Sequence, residues 1–594
     1  HWPASPYAGQ ETLPPRPTYL ESLPLLFVLL WLATAIAGWR PGPLAAGWPL
    51  RRRALGWGLA GLVLLCAAVL VLGLDPGYTP RRGVVLFYDA GQLDWGRPEY
   101  GRYGARSGGT YGLWPDYLSL YGYEFRAGEL SAENLAAARV VMLVNLQQAL
   151  PAEEKARLLS WVEAGGGLVI WGEHTGFGTI REPLNDLLTA LPGAPLRLRF
   201  DSAVPVRQGW AEGLDLLPHP ALRGVADPLD LVIAVGASFD VAPPARPLIV
   251  GRFGHSDWGD PDNAMRNYVG DMRPNPDERL GDVVLAAEVR HGAGRIVVMG
   301  DTTPLGSVNL MTTMPFHARL LDWVAGEAAG WTPVLTGGLL GAVLLLAALV
   351  LVWRGRSRLA LAAAALVLGL GLAGLDAWNE ARSAPPLPAG PIAYVDAAHH
   401  GRFDRLLWED TSTGGLAYNL SRAGLVPLLL RDLDAEALAG ADLLVVVAPE
   451  QEYRQGEIDA VADWVEVGGQ LLVTVGSEEA VASQALLARF GLSVGHVPLG
   501  PASVERAAGT VRFHEAWPVA AADGVPAETV VEAYGYPVVL YRAWGAGGVA
   551  LVGDSEFLLG PNLEAETQYT EGNILLLRDL LHEWMAMAPR EGTP

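Results

Sequence analysis

The chain repeats itself, and this internal duplication constrains its fold more than any other feature. Residues 131–161, SAENLAAARVVMLVNLQQALPAEEKARLLSW, align without a gap on residues 434–464, DAEALAGADLLVVVAPEQEYRQGEIDAVADW. A second pair follows in each half, GAGRIVVMGDTTPLGSVN at 292–309 and GAGGVALVGDSEFLLGPN at 545–562. Landmarks that recur in the same order indicate two copies of one structural unit.

The pattern within each copy predicts an α/β domain with a doubly wound parallel sheet, because short apolar runs alternate with amphipathic stretches. The expected strands of the first copy are 83–91, 140–145, 168–172 and 295–300. The expected strands of the second copy are 392–396, 443–448, 470–475 and 548–553. Helices are expected at 151–164, 315–325, 415–423, 456–467 and 572–587. The largest difference between the copies is an insertion at about 178–290, which is rich in Pro, Asp and Gly.

Four apolar runs predict transmembrane helices arranged as two hairpins, since each run is close to the ~20 residues that cross a bilayer core. They cover residues 23–39, 54–74, 333–353 and 359–378. Arginines concentrate in the two short loops within these hairpins, and short cytoplasmic loops collect basic residues. The sequence therefore predicts a multi-pass protein of the bacterial inner membrane, with the N-terminus and both large domains outside the cytoplasm.

The expected organisation has five segments, of which two are hairpins and two are α/β domains. They are an N-terminal segment at 1–19, a hairpin at 20–75, a domain at 76–330, a hairpin at 331–379 and a domain at 380–594. The formal net charge is −22 although the hairpin loops are basic, so the domains are acidic. This charge disfavours nucleic acid as a partner. The expected partners are the lipid bilayer and a protein or glycan of an envelope complex.

Candidate functional residues follow the predicted strands, because ligands of an open parallel sheet bind beyond the carboxyl ends of its strands. The candidates of the first domain are Asp89, Asn145, Glu173, His174 and Asp301. The candidates of the second domain are Asp396, His399, His400, Glu450, Ser477, Glu478 and Asp554. Carboxylates and imidazoles of this kind can bind a divalent cation or act as general acid and base. The same residue types also form turns and helix caps, an alternative that is strongest for Asp301 and Asp554.

A second possible cation site lies within the insertion. Asp257, Asp260, Asp262 and Asn263 offer oxygen atoms of the type that binds calcium. Their spacing is not that of an EF-hand loop, and a solvated turn-rich segment is the competing explanation. The single cysteine, Cys66, falls within a predicted span, so no intrachain disulfide is expected.

Two blocks of sequence resemble a known superfamily. They are the Gly-Gly entries to the strands at 165–172 and 468–475, and the closing block from GAGGVALVGDSEFLLGPN to EGNILLLRDLLHEW at 545–584. They resemble the class I glutamine amidotransferase-like superfamily, which is flavodoxin-like, and in particular the membrane-tethered tandem forms among auxiliary proteins of gliding-motility-type ABC transporters. The resemblance implies that active members carry a cysteine nucleophile on the turn after the third strand. Here Asn145 and Ala448 stand on the corresponding turns.

Because neither turn carries a nucleophile, we expect a non-enzymatic protein whose two degenerate domains bind a protein or glycan partner. The alternative expectation is a metal-assisted hydrolase that acts on envelope saccharides. In that case Asp89, Glu173 and His174 of the first domain are the ligands or the acid and base groups.

Overall fold

The computed structural model describes residues 78–328 and 388–587, with short gaps in both ranges. The gaps of the first range are 105–106, 175–180, 192–195, 206–209, 211–212, 218, 226, 258, 261, 263–269 and 277. The gaps of the second range are 404–411 and 566–567. The four apolar runs that predicted transmembrane helices lie outside the described residues.

The predicted fold class requires a correction concerning the membrane. The longest described helix, Glu571–Met587, has 17 residues, whereas ~20 are needed to cross a bilayer core. No helix among the residues that the structure describes is long and apolar enough to span a membrane. This finding contradicts the predicted four transmembrane helices and the predicted multi-pass inner-membrane localisation. The described chain is instead a mixed α/β structure with several sheets.

The first half is built on a ten-stranded mixed sheet. In chain order its strands are β2 (Val84–Tyr88), β3 (Glu124–Gly128), β4 (Ala138–Val144), β5 (Gly167–Trp171), β6 (Leu196–Pro205), β7 (Leu214–Leu216), β8 (Gly236–Val241), β9 (Arg246–Asp257), β10 (Leu280–His291) and β11 (Gly294–Met299). Their order across the sheet is β3-β2-β4-β5-β11-β10-β8-β6-β9-β7. The strands from β3 to β11 in that order are parallel, and β10 runs antiparallel to β11. The expected insertion thus supplies the antiparallel part of the sheet.

The second half is built on a seven-stranded sheet of the same design. Its strands are β13 (Ile392–Asp396), β14 (Val426–Leu430), β15 (Leu443–Val447), β16 (Gln470–Thr474), β21 (Glu528–Ala533), β22 (Tyr536–Trp544) and β23 (Gly547–Val552). Their order is β14-β13-β15-β16-β23-β22-β21, and the first six positions match those of the first sheet in direction as well as in order. Both sheets therefore end in antiparallel strands, whereas a purely parallel sheet was predicted.

Three short strand pairs and eleven α-helices complete the described parts of the chain. The remaining strands are β1 (Tyr78–Thr79), β12 (Glu327–Ala328), β17 (Leu492–Val494), β18 (Gly500–Arg506), β19 (Gly509–Ala516) and β20 (Val519–Ala521). They pair as β1 with β12, β17 with β20 and β18 with β19. The helices among the described residues are α1 (Trp114–Leu120), α2 (Ala132–Ala137), α3 (Ala152–Glu163), α4 (Arg181–Thr189), α5 (Leu310–Ala325), α6 (Gly414–Arg422), α7 (Ala435–Leu438), α8 (Gln455–Glu466), α9 (Ala480–Arg489), α10 (Gly560–Leu563) and α11 (Glu571–Met587).

The central strands of each sheet are buried on both faces, which explains why these parallel strands are largely apolar, whereas the edge strand β3 is partly exposed and contains Glu124 and Arg126. Val85 and Phe87 of β2 pack into one core cluster, whereas Leu86 between them packs into the cluster on the opposite face. In β15 of the second sheet, Val445 and Val446 likewise pack into clusters on opposite faces. Side chains alternate across a strand, so a continuous apolar run is required when helices cover both faces.

A buried ion pair joins the two halves. The side chains of Arg422 and Glu564 are 0% and 1% exposed, and the guanidinium binds both carboxylate oxygens. The carboxylate also accepts hydrogen bonds from the backbone N–H of Gly104 at 2.7 Å and from the hydroxyl of Ser107 at 3.0 Å, both in the first half. Elsewhere along the junction, the Tyr117 hydroxyl donates to a carbonyl of the second half at 2.7 Å. Charges removed from water are stable only when paired in this way.

We expect Arg422→Ala to lower the free energy of unfolding by about 3–5 kcal/mol, because removal of one partner leaves the other charge buried and unpaired. Arg81→Ala is the matched control. Arg81 pairs with Glu327 where both side chains are about half exposed, and such a pair contributes at most about 1 kcal/mol. Chemical denaturation of both variants tests the expectation, and equal losses would show that the junction is not held by this pair.

Candidate functional site

Both halves contain the same sharp turn, which follows the third strand of each sheet in chain order. Asn145 after β4 and Ala448 after β15 have φ angles of 45° and 42°, in the left-handed region that residues other than glycine seldom occupy. Each donates its backbone N–H at 2.9 Å, to the carbonyls of Trp171 and Thr474. Such strain is often found at functional sites. The side chains offered here are an amide and a methyl group, neither of which is a nucleophile.

Asp301 follows β11 and organises the turn beyond it. Its Oδ1 accepts the backbone N–H of Thr303 and its Oδ2 accepts that of Ala234, both at 2.8 Å. Burial raises the pKa of Asp301 to about 7, and the nearby charge of Glu173 adds to the increase. The carboxylate ties an adjacent loop to the end of the strand.

Two other candidates of the first half lie beside Asp301. The carboxylate of Glu173 accepts a short hydrogen bond from the hydroxyl of Thr302 and the backbone N–H of His174 at 2.9 Å. The His174 Nε2 lies 3.3 Å from the same carboxylate. Burial raises the pKa of Glu173 and lowers that of His174, although the charge of Asp301 opposes the second effect. The sequence-predicted group of Glu173, His174 and Asp301 is therefore brought together.

The second half repeats this arrangement with different residues. Asp554 follows β23, and its oxygens accept the backbone N–H groups of Glu556 at 3.0 Å and His514 at 2.6 Å. Burial raises its pKa to about 7. Ser555, the counterpart of Thr302, donates to the carboxylate of Glu479 at 2.6 Å. Glu479 thus occupies the structural role of Glu173 although it stands further along its loop.

A polar cavity of about 900 Å³ opens above this end of the second sheet. Its floor includes Asp554 and Ser555, and one side is formed by Arg512 and His514 of β19. Among its other lining residues are Arg402, Ser477, Glu478, Glu515, Gln568 and Tyr569. A cavity of this size at the carboxyl ends of parallel strands is where ligands of such sheets bind.

Charges of both signs line the cavity. Arg402 donates to Glu479 at 2.8 Å and forms an ion pair with Glu478, so its charge is fully paired. Arg512 and Glu515 are exposed and have no ion pair among the residues that the structure describes. The cavity therefore offers both donors and acceptors, with more carboxyl groups than guanidinium groups in its lining.

A separate buried network lies after β13. His399 Nδ1 is 2.9 Å from Asp396 and its Nε2 is 3.3 Å from Glu457. The imidazole stacks on the ring of Tyr453 at 3.7 Å, and the Tyr453 hydroxyl donates to Asp396 at 2.6 Å. Burial acts to lower the pKa of His399, but the hydrogen bonds and charges of Asp396 and Glu457 outweigh it and raise the pKa.

Of the remaining candidates of the parallel sheets, Asp89 and His400 take part in none of these groups, whereas Glu450 pairs with Arg402 of the cavity lining. Asp89 accepts the backbone N–H of Gly91 at 2.9 Å and the indole N–H of Trp95 at 2.7 Å, so it shapes a local turn. His400 is exposed with a φ angle of 48°. Glu450 is exposed and lies 3.6 Å from Arg402.

The candidate calcium ligands of the insertion form turns. Asp257 accepts the backbone N–H of Met272 at 2.6 Å, and Asp260 accepts that of Asp262 at 3.1 Å. Asn263 lies outside the described residues. Across the described parts of the chain, no group of three or more His, Cys, Asp or Glu side chains is arranged to hold a metal ion.

Sequence reasoning missed several residues that build these sites. Arg402, Arg512 and His514 reach the cavity from a loop and from the β18–β19 hairpin, which lie outside the repeated blocks. Glu479 is not in the lining, but it bonds to the lining residues Arg402 and Ser555. Glu457 has a detectable signal, because it is the third residue of α8 and accepts the backbone N–H of Arg454 as in a capping box.

Comparisons with known proteins give little further guidance. No family model matches the sequence, and no curated protein matches it. Structural matches include the mmIFT52 N-terminal domain, at 17% identity over 34% of this chain and 100% of that chain with a TM-score of 0.27. The cytoplasmic protein STM3548 from Salmonella typhimurium matches at 12% identity over 41% and 99% with a TM-score of 0.26. The exo-β-1,4-mannosidase Op5Man5 from Opitutaceae bacterium strain TAV5 matches at 16% over 37% and 38% with a TM-score of 0.23. Similarities this low carry no argument about function.

We expect Asp554→Asn to reduce the pH dependence of stability. The raised pKa of Asp554 favours the folded state while the carboxyl is protonated, so this contribution is present below the unfolded pKa of about 4 and is lost as pH rises through about 7. Its slope reaches about 1.4 kcal/mol per pH unit. Urea unfolding between pH 4 and 8 measures the slope, with the exposed Asp463→Asn as control. Equal slopes for wild type and Asp554→Asn would contradict the expectation.

We expect His399→Phe to lose stability mainly at acidic pH. The raised pKa of His399 means that its contribution is complete below the unfolded pKa of about 6.5 and disappears as pH rises through the higher folded value. Phenylalanine keeps a ring over Tyr453 but removes the charge. The stability difference from wild type should therefore shrink with increasing pH, and His400→Phe, at an exposed neighbour, should show no such trend. A difference that stays constant with pH would refute the charged network.

Proposed function

We propose that this chain is a non-enzymatic binding protein whose second half binds a hydroxyl-rich glycan in the polar cavity above its sheet. The observation that carries the proposal is the cavity itself, at about 900 Å³ and lined by charged and polar side chains of both signs. A concave site of this kind suits a small ligand or a chain segment better than a broad protein surface, which requires a larger and flatter contact area.

The lining disfavours an anionic ligand and offers both donors and acceptors to a polar one. Arg512 offers guanidinium N–H donors, while Glu515 and Glu556 offer carboxylate acceptors in the same space. A strongly anionic ligand would face these carboxylates, and a strongly cationic ligand would face Arg512. Hydroxyl groups donate and accept hydrogen bonds, so a neutral saccharide satisfies both types of group.

Aromatic side chains supply the apolar part of such a site. Tyr569 lines the cavity and is 51% exposed, and Trp517 lies at the cavity wall. Large rigid rings bury apolar area at low entropic cost and keep a polar edge for hydrogen bonding. The faces of sugar rings that carry C–H groups can pack on such surfaces while their hydroxyls reach the charged residues.

The absence of enzymatic activity is supported by the two sharp turns. The strained positions after β4 and β15 carry Asn145 and Ala448, which cannot attack a substrate. The buried Asp301 and Asp554 each accept two backbone N–H groups, so their oxygens are occupied in maintaining the loops.

Isothermal titration of the purified chain with neutral, uronic-acid and amino-sugar oligosaccharides tests the proposal. We expect binding of a neutral oligosaccharide, and we expect Arg512→Ala to weaken it at least about tenfold, equivalent to ~1.4 kcal/mol. Arg506→Ala is the matched control, because Arg506 lies on the same hairpin outside the cavity lining. Failure of all three saccharide classes to bind, or equal binding by wild type and Arg512→Ala, would refute the proposal. Hydrolysis of the bound saccharide would favour the alternative of an enzyme.

A further inference from the structure

We propose that the first half of the chain positions residues 568–570, which form the wall of the glycan cavity that carries Tyr569. Tyr103 and Glu564 are the positioning residues. The inference rests on the proposed function for its ligand, but its structural part stands on the contacts between the halves. It implies that the affinity of the cavity in the second half is set in part by a loop of the first half.

The wall is formed by residues 568–570, whose backbone is bonded to that of residues 563–565. The backbone of Glu564 pairs with that of Tyr569 as an antiparallel bridge, and the N–H of Ala565 donates to the carbonyl of Gln568 at 2.7 Å. The N–H of Thr570 donates to the carbonyl of Leu563 at 2.9 Å. Residues 568–570 line the cavity, so the position of the Glu564 backbone sets the position of the wall.

The side chain of Glu564 is held by the first half. Its Oε1 accepts hydrogen bonds from Gly104 and Ser107, and its two oxygens pair with the buried guanidinium of Arg422. Arg422 in turn donates to the carbonyl of Arg102 at 3.0 Å. These bonds fix Glu564 to a loop of the first half at a position where both charged side chains are buried.

Tyr103 contacts Tyr569, the residue whose backbone pairs with that of Glu564. Its ring centroid lies 5.2 Å from that of Tyr569, and the Arg422 guanidinium carbon lies 5.0 Å from the Tyr103 ring. Aromatic pairs and cation–π contacts at these distances are attractive. Tyr103 therefore connects the buried ion pair directly to the aromatic residue that lines the cavity.

The test compares Tyr103→Ala and Tyr103→Phe in the full chain, with Tyr536→Ala as a control at an exposed tyrosine outside the cavity lining. Amide hydrogen exchange of a peptide covering 564–573 is measured without ligand, and titration with the neutral oligosaccharide that binds wild type measures affinity. We expect Tyr103→Ala to accelerate exchange and to weaken binding about fivefold or more. Tyr103→Phe, which keeps the ring, should restore both values, and Tyr536→Ala should change neither.

The outcomes separate this inference from the proposed function. If wild type binds no oligosaccharide, the proposed function fails, and the exchange data alone decide the positioning role. Unchanged exchange at 564–573 in Tyr103→Ala overturns the inference even if the oligosaccharide binds. Faster exchange in both Tyr103→Ala and Tyr103→Phe also overturns it, because the ring would then not be the positioning element.

Discussion

Burial of the Glu564 carboxylate against Arg422 is the interaction on which the arrangement of this molecule depends. A charge that is 1% exposed requires donors on all sides, and the chain supplies them from α6 and from a loop of the first half. An apolar core is also shared between the halves. Ile392, Val426 and Leu428 of the second half pack into a cluster formed mainly by residues of the first half. The two halves are thus joined by shared burial, and the wall of the cavity is bonded to the residue that joins them.

The second constraint is that backbone N–H groups beyond the carboxyl ends of the parallel strands need hydrogen-bond acceptors. In both halves an aspartate after the last parallel strand bonds to a neighbouring segment, which is a loop in the first half and strand β19 in the second. A hydroxyl beside it donates to a glutamate that is partly buried in the first half and buried in the second. The glutamates, Glu173 and Glu479, are at different sequence positions. This difference shows that the hydrogen-bonding role is maintained while the residue that performs it moves. In the second half the same framework supports the cavity.

The parallel core and many helix bounds were predictable from the sequence because they depend on local patterns. The strands β13 and β15 and the helices α3 and α8 begin and end within one or two residues of their predicted bounds, where apolar runs alternate with turn residues. Helix α5 begins at Leu310, five residues before its predicted start. Proline is common at the first position of a helix, but Pro315 lies inside this one. The antiparallel strands β6 to β10 were missed because their pairing partners are distant in sequence and their Pro-, Asp- and Gly-rich composition suggested loops.

The site was less predictable than the fold. The rule that ligands bind beyond strand ends correctly predicted that Glu173, His174 and Asp301 lie together. Arg512 and His514, in contrast, reach the cavity from a hairpin whose position depends on tertiary packing. The central claim is that a neutral glycan binds there. Its most direct test is titration of isotopically labelled protein with a neutral oligosaccharide while backbone amide signals are followed by NMR. The account predicts shifts concentrated at residues 512–515 and 568–570, and shifts confined to the first half would contradict it.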